Sequence, residues 1–260
     1  MKILVCVKQV PESESPLLID DQEDWIQPDA ISGYKMNRLD EFAVEEAVRI
    51  KEAFSAVSIH AITVGPERCS EVIRRSVGMG ADEGFHIVCA GESYLGSSEI
   101  AVLIAEYVGD QHYSLILTGA MSEDNMQGQV GPMVAARLAL PWATAVISEK
   151  IAPDKKSVTV EREIDGGSRD MLELVLPAVL TVQSGINTPR YPSLSNLLRA
   201  NQQDLETIDT SDLGVPPSLE TVIEVRYPQK TRAAKVLSGT GPEKAAQLVD
   251  ILRSRALLES

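Results

Sequence analysis

Short apolar runs alternate with amphipathic stretches from Lys2 to about residue 140. Lys2 to Val10 reads as a buried parallel strand that Pro11 stops. A polar, acidic connection follows through Asp29. Phe42, Ala43, Ala47, Val48 and Ile50 then recur at helical spacing, which predicts a helix over Leu39–Phe54. Asn37 is its expected N-cap, and Asp40 and Glu41 sit where a helix N-terminus favours negative charge. Ser58–Val64 is a second strand, with a helix near Cys69–Met79 behind Gly65-Pro66. Gly84–Cys89 is a third strand, Ser97–Val108 a helix, and Ser114–Thr118 a fourth strand ending at Gly119. Gly131–Leu140 opens another helix, with Pro132 in its first turn. Strands alternating with helices in this way predict an α/β fold: a doubly wound, mainly parallel, Rossmann-like sheet covered on both faces.

From residue 158 the period changes. Val158, Val160, Arg162 and Ile164 alternate with Thr159, Glu161 and Glu163, the pattern of a half-buried strand. Asp165-Gly166-Gly167 is turn chemistry, and Leu172, Leu174 and Leu176 resume the alternation. Pro177 to Val182 reads as a buried strand. The prolines of Asn187-Thr188-Pro189-Arg190-Tyr191-Pro192 forbid a regular ladder, so Leu194, Leu197 and Leu198 are expected on a stiffened surface loop. Asp204–Pro217 is acidic and loop-like, and Ser218–Tyr227 is a further alternating strand. Lys230–Lys235 is basic, and Pro242–Leu258 is a short amphipathic helix. Residues 1–217 therefore form the α/β body, with a candidate recognition loop at 185–200, and residues 218–260 a strand and arm.

In such a sheet, ligands bind outside the carboxyl ends of the strands where the strand order reverses. Cys6-Val7-Lys8, Val64-Gly65-Pro66 and Gly119 through Gly131 lie at strand ends. The last leads straight into a helix, where Gly128 and Gly131 allow close backbone approach and free amides can hold a phosphate. It is neither a Walker A nor a Gly-x-Gly-x-x-Gly sequence, so the residues alone leave a plain glycine-bearing loop equally open.

Charge narrows the partners. The 260 residues carry 38 acidic against 24 basic side chains, a net charge of −14, which repels nucleic acid. Cys6, Cys69 and Cys89 show no paired or metal-ligand spacing, which fits a reducing compartment. The apolar start Met1–Val7 reads as a strand, and no stretch is long enough to span a bilayer. A cytoplasmic location is the expectation.

Glu161-Arg162-Glu163-Ile164-Asp165-Gly166-Gly167, Leu176-Pro177-Ala178-Val179, Asn187 and Pro189-Arg190-Tyr191 resemble, in order and spacing, the signature region of electron transfer flavoprotein beta subunits. Ser168-Arg169-Asp170 departs from it, where the family more often has an acidic or amide residue. The resemblance runs from Val5-Cys6-Val7-Lys8-Gln9-Val10-Pro11 to the C-terminal arm. It implies a fold like that of the adenine nucleotide alpha hydrolases and a subunit that transfers electrons rather than a stand-alone catalyst. It also implies an alpha subunit that supplies most of the redox FAD site and receives the arm. Electrons would come from acyl-CoA-type dehydrogenases, as in fatty acid beta-oxidation, and pass to a membrane quinone reductase or similar acceptor.

By the same resemblance an adenine nucleotide is held at Cys6, at Asn37, Arg38, Leu39 and Asp40, at Val64, and along Gly119, Ala120, Met121, Ser122, Glu123, Asp124, Asn125, Met126, Gln127, Gly128, Gln129 and Val130. The ending Gly128-Gln129-Val130-Gly131 is similar to members that bind a second FAD and bifurcate electrons, whereas Asp40 to Val48 is similar to members that bind AMP. AMP is the first expectation and a second FAD the alternative. Glu163 matches a glutamate that reaches an arginine of the partner's flavin domain, although an outward strand residue reads the same way. Leu194, following Tyr191, matches a leucine inserted into the dehydrogenase, although packing onto its own domain is also open.

A universal-stress-type nucleotide module shares the fold but lacks a counterpart of residues 159–200. A nucleotide hydrolase lacks support from any general base or metal site. His60, His86 and His112 are isolated and read as core or surface residues, Asp165 as a turn former, and Trp25 and Trp142 as packing residues.

Overall fold

The computed structural model describes residues 1–19, 25–27, 33–89, 94–109, 111–214, 218–229, 234–255 and 257. Two compact units, Met1–Val225 and Arg226–Ser260, are taken separately.

In the first unit the strands are β1 (Lys2–Cys6), β2 (Gln9–Pro11), β3 (Tyr34–Met36), β4 (Ser58–Gly65), β5 (Glu83–Val88), β6 (Leu115–Gly119), β7 (Trp142–Ile151), β8 (Ser157–Glu163), β9 (Arg169–Val175), β10 (Ala178–Val182) and β11 (Glu206–Asp209). The helices are α1 (Arg38–Ala53), α2 (Ser70–Met79), α3 (Ser97–Val108), α4 (Val130–Arg137), α5 (Leu194–Gln202) and α6 (Thr210–Leu213). Among the described residues the main sheet has nine strands in the order β11-β5-β4-β1-β6-β10-β7-β8-β9. It is parallel from β11 to β7, and β8 and β9 add an antiparallel edge.

The period-two alternation of β1 explains the two layers. Ile3 and Val5 join a core with Ala43, Ala47, Val48, Val72 and Ile73 of α1 and α2. Leu4 and Cys6 face a second core with Leu103, Ile104, Val134 and Ala135 of α3 and α4. From β1 the chain winds outward through β4 and β5, then crosses back to β6 on the other side of β1. The carboxyl ends of β1, β4 and β6 therefore flank the switch point.

Several expectations need correction. Lys2–Val10 is two strands: the chain leaves the main sheet after Cys6, and Gln9–Pro11 pairs antiparallel with Tyr34–Met36. Part of the connection through Asp29 lies outside the described residues, as does part of Lys230–Lys235. Trp142, expected to pack, opens β7 and keeps 45% of its surface exposed. Tyr191 and Pro192 are followed by helix rather than loop, because the Ser193 hydroxyl accepts from the Asn196 amide and caps α5. Within Asp204–Pro217, Glu206–Asp209 is a strand parallel to β5. Ser218–Tyr227 forms no strand: its alternation finds no neighbouring ladder, and Leu219, Ile223 and Tyr227 are exposed.

In the second unit, helix α7 (Gly241–Ser254) starts on a capping box in which Glu243 accepts from the Thr240 amide at 2.7 Å. None of its residues is buried.

Candidate functional site

A cleft opens at the switch point, enclosing about 740 Å³ including solvent at its mouth. Its floor is organised by Asp40 in the first turn of α1. One carboxylate oxygen accepts the Lys8 amide at 2.7 Å and the other the Gly119 amide at 3.0 Å, so one side chain ties the ends of β1 and β6 to α1. Burial pushes the Asp40 carboxyl up to about 7, against these two amides, which favour the ionised form. A Cβ on Gly119 would collide with Asp40 and lie 2.9 Å from Leu39 Cβ, so the strand end must be glycine. Burial, with the nearby Asp40 charge, keeps the Cys6 thiol protonated well above its ordinary range.

The loop from Ala120 to Gln129 is the opposite wall. Asn37 sits at the N-cap position of α1, yet its side chain does not cap the helix. It donates to the Met121 carbonyl at 3.0 Å and accepts the Glu123 amide at 3.0 Å. Lys8 reaches over to Asp124 at 2.6 Å. Burial would raise the Asp124 carboxyl, but the Lys8 charge and hydrogen bond hold it below the usual range. On the far flank the Ser97 hydroxyl donates to Gln127 at 2.5 Å. The loop is therefore tied both to β1 and α1 and to α3.

Among the expected residues, Cys6, Asn37, Asp40, Val64, Gly119, Ala120, Met121, Ser122, Asn125, Gly128, Gln129 and Val130 line this cleft. Arg38, Leu39, Glu123, Asp124, Met126 and Gln127 lie outside its lining. Arg38 pairs with Glu41 at 2.6 Å, Glu123 pairs with Lys35 at 3.1 Å, and Met126 is exposed. Sequence reasoning missed Thr63 and Ser97 as lining residues, and named Lys8 only as part of a candidate strand end. Thr63 and Ser97 carried no such signal, lying within a strand and at a helix start distant in sequence.

Two features fit a bound polar ligand. The Thr63 hydroxyl is buried at the end of β4 and has no hydrogen-bond partner among the described residues. Gly128 has φ +64°, and a Cβ there would press to 3.1 Å of the Ala120 carbonyl, so the turn presents bare backbone beside α4.

The expected partner residues sit elsewhere. Glu163 is exposed at the end of β8, opposite Arg169. Tyr191 and Leu194 are 83% and 73% exposed, three residues before α5 and at its first residue respectively. His60 and His86 are core residues, hydrogen-bonded to Tyr113 and the Gly65 carbonyl respectively. Among the described residues no cluster of His, Cys, Asp and Glu could hold a metal ion, and no helix is long and apolar enough to cross a membrane.

Comparison with known proteins fits this geometry. Residues 29–213 match the electron transfer flavoprotein domain. Electron transfer flavoprotein subunit beta of Bos taurus is 35% identical over 257 residues, covering 97% of this chain and 98% of that protein. The mitochondrial subunit beta of Arabidopsis thaliana is 33% identical over 257 residues, at 98% and 99% coverage. That of Bacillus subtilis is 32% identical over 270 residues, also at 98% and 99%. With the doubly wound sheet, the switch-point cleft and near full-length similarity in agreement, the chain belongs to the electron transfer flavoprotein subunit beta family.

Proposed function

We propose that this chain is the beta subunit of a heterodimeric electron transfer flavoprotein and holds AMP in the switch-point cleft. The observation that carries the nucleotide reading is the Thr63 hydroxyl, without a hydrogen-bond partner among the described residues, together with the bare Gly128 turn within one cleft. Amides of residues 128–130, at the start of α4, would receive the phosphate, and the Thr63 hydroxyl would meet the nucleoside. The loop is tied on both flanks by Lys8–Asp124 and Ser97–Gln127, which favours a compact nucleotide over a second FAD.

The redox chemistry would be supplied by FAD held mainly by the alpha subunit. Glu163 would pair with an arginine of that subunit's flavin domain, and the exposed Val236, Leu248 and Val249 of the second unit would pack on it. Tyr191 and Leu194 would dock an acyl-CoA-type dehydrogenase as donor, and a membrane quinone reductase would accept the electrons. A cytoplasmic or comparable compartment accompanies this reading.

The test is nucleotide extraction from the heterodimer co-purified with its alpha subunit, together with its visible spectrum. One FAD and one AMP per heterodimer are expected, and the chain purified alone should carry no reducible flavin. Two FAD per heterodimer would replace AMP with the bifurcating reading. A single FAD with no second nucleotide would remove the cleft assignment.

A further inference from the structure

We infer that Arg190 is a positioning residue for partner docking: by gripping the buried Glu45 of α1 it presets α5 and holds Tyr191, Leu194 and Leu198 outward. This rests on the docking role given to Leu194 above.

A short helix between proline-rich chain and an edge strand has little reason to hold its place by itself. Here it is fastened at both ends. Arg190 donates to Glu45 through Nε at 2.8 Å, through Nη2 at 2.9 Å, and through its own amide at 3.0 Å. The same guanidinium meets Glu52 at 2.7 Å and 3.1 Å. Beside it, Asn187 donates to Glu46 at 2.8 Å and to the Phe42 carbonyl at 2.9 Å, while Arg49 reaches the Ile186 carbonyl at 3.3 Å. At the far end Arg74 of α2 collects the carbonyls of Ala200, Asn201 and Gln203 at 2.9, 3.1 and 3.3 Å. Between these anchors Gly78 leaves room for Leu197 and Pro192, since a Cβ there would come within 2.9 and 3.3 Å of them.

The two carboxylates on Arg190 are not equal. The Glu52 side chain is 59% exposed, so that pair is screened by water and contributes little. The Glu45 side chain is 6% exposed and receives a fork of two parallel bonds, a geometry only arginine supplies. Removing Arg190 strands a buried carboxylate, and the segment relaxes away from α1. The outward residues would then have to be ordered on binding, which weakens association by about tenfold.

The test uses the heterodimer with a purified medium-chain acyl-CoA dehydrogenase as probe, and measures affinity, melting temperature and amide exchange over residues 191–200. Leu194→Ala should lower affinity about ten- to a hundredfold with exchange unchanged, from the loss of a buried leucine at the contact. Arg190→Ala should lower affinity about tenfold and speed exchange across 191–200, while nucleotide content is retained. Arg190→Lys should fall between, because lysine keeps the charge but not the fork. Glu45→Gln should add little when combined with Arg190→Ala, since both act through one contact. If Leu194→Ala weakens binding but Arg190→Ala does not, Arg190 positions nothing. If Leu194→Ala leaves binding intact, the docking reading itself falls, and unchanged exchange in Arg190→Ala overturns the clamp whatever the partner does.

Discussion

The first turn and the middle of α1 both bury acidic side chains, and they do so by opposite means. At the first turn Asp40 is satisfied by backbone amides from two strand ends, with no guanidinium on it among the described residues. In the middle, Glu45 and Glu46 are met by side chains, Arg190 and Arg49 among them, from the segment before α5 and from α1 itself. The amide-bound carboxylate fixes backbone to backbone and so builds the floor of the cleft. The arginine-bound one fixes a peripheral segment whose outer face stays free. One helix thus buries its acids in two different ways.

The sharpest way to break the comparison is to remove the amide-bound acid. Asp40→Ala leaves the Lys8 and Gly119 amides unpaired in a buried setting and should cost about 2–4 kcal/mol by chemical denaturation and, on the AMP reading proposed above, lower the nucleotide content of the heterodimer. Asp40→Asn keeps one acceptor but turns an NH2 donor towards the other amide, so it should cost nearly as much as Asp40→Ala. A clearly smaller loss for Asp40→Asn would show that one accepted amide is enough to hold the floor.

A smaller effect is expected where Asp40 meets the strand end. Gly119→Ala pushes a methyl into Asp40 and Leu39, an overpacked contact worth about 1–3 kcal/mol. Stability equal to the unsubstituted protein would mean the β6 end shifts freely and the floor is not fixed by Asp40.

The smallest effect concerns pH at the middle of the helix. Glu149 of β7 is pushed up to about 8 by burial and by the neighbouring Glu46 carboxylate, with Arg49 opposing. A carboxyl raised in the folded state stabilises fully below its ordinary value and loses that contribution as pH rises towards 8. Glu149→Gln should therefore raise the melting temperature by about a few degrees at pH 8 and much less at pH 5. A shift that does not depend on pH would remove the proton from this cluster.

The elements of the first half were legible in order because their apolar period is strong: α1 and α2 carry full apolar faces, and β1, β4 and β6 are mostly apolar and buried. β7 was not legible, since its register slips beside Val146 and Ala145 takes φ +53°, so no regular alternation survives. α5 was hidden by Pro189 and Pro192, which are loop signals, while its start is set by the Ser193 cap three residues before Asn196. For the cleft, the glycine-bearing loop and the strand ends could be read, but not Thr63 or Ser97, which are distant in sequence.

By itself the sequence determined the family, the alternation of strands and helices, and hence a parallel sheet with ligands expected at its carboxyl ends. Those features follow from local period and turn chemistry, which neighbouring residues encode. Tertiary structure alone decided which charges answer one another. That Asp40 holds Lys8 and Gly119, and that Glu45 holds Arg190, are pairings across 32, 79 and 145 residues. They exist because winding the sheet brings strand ends and late segments onto one helix, and burial there leaves each acid needing a partner.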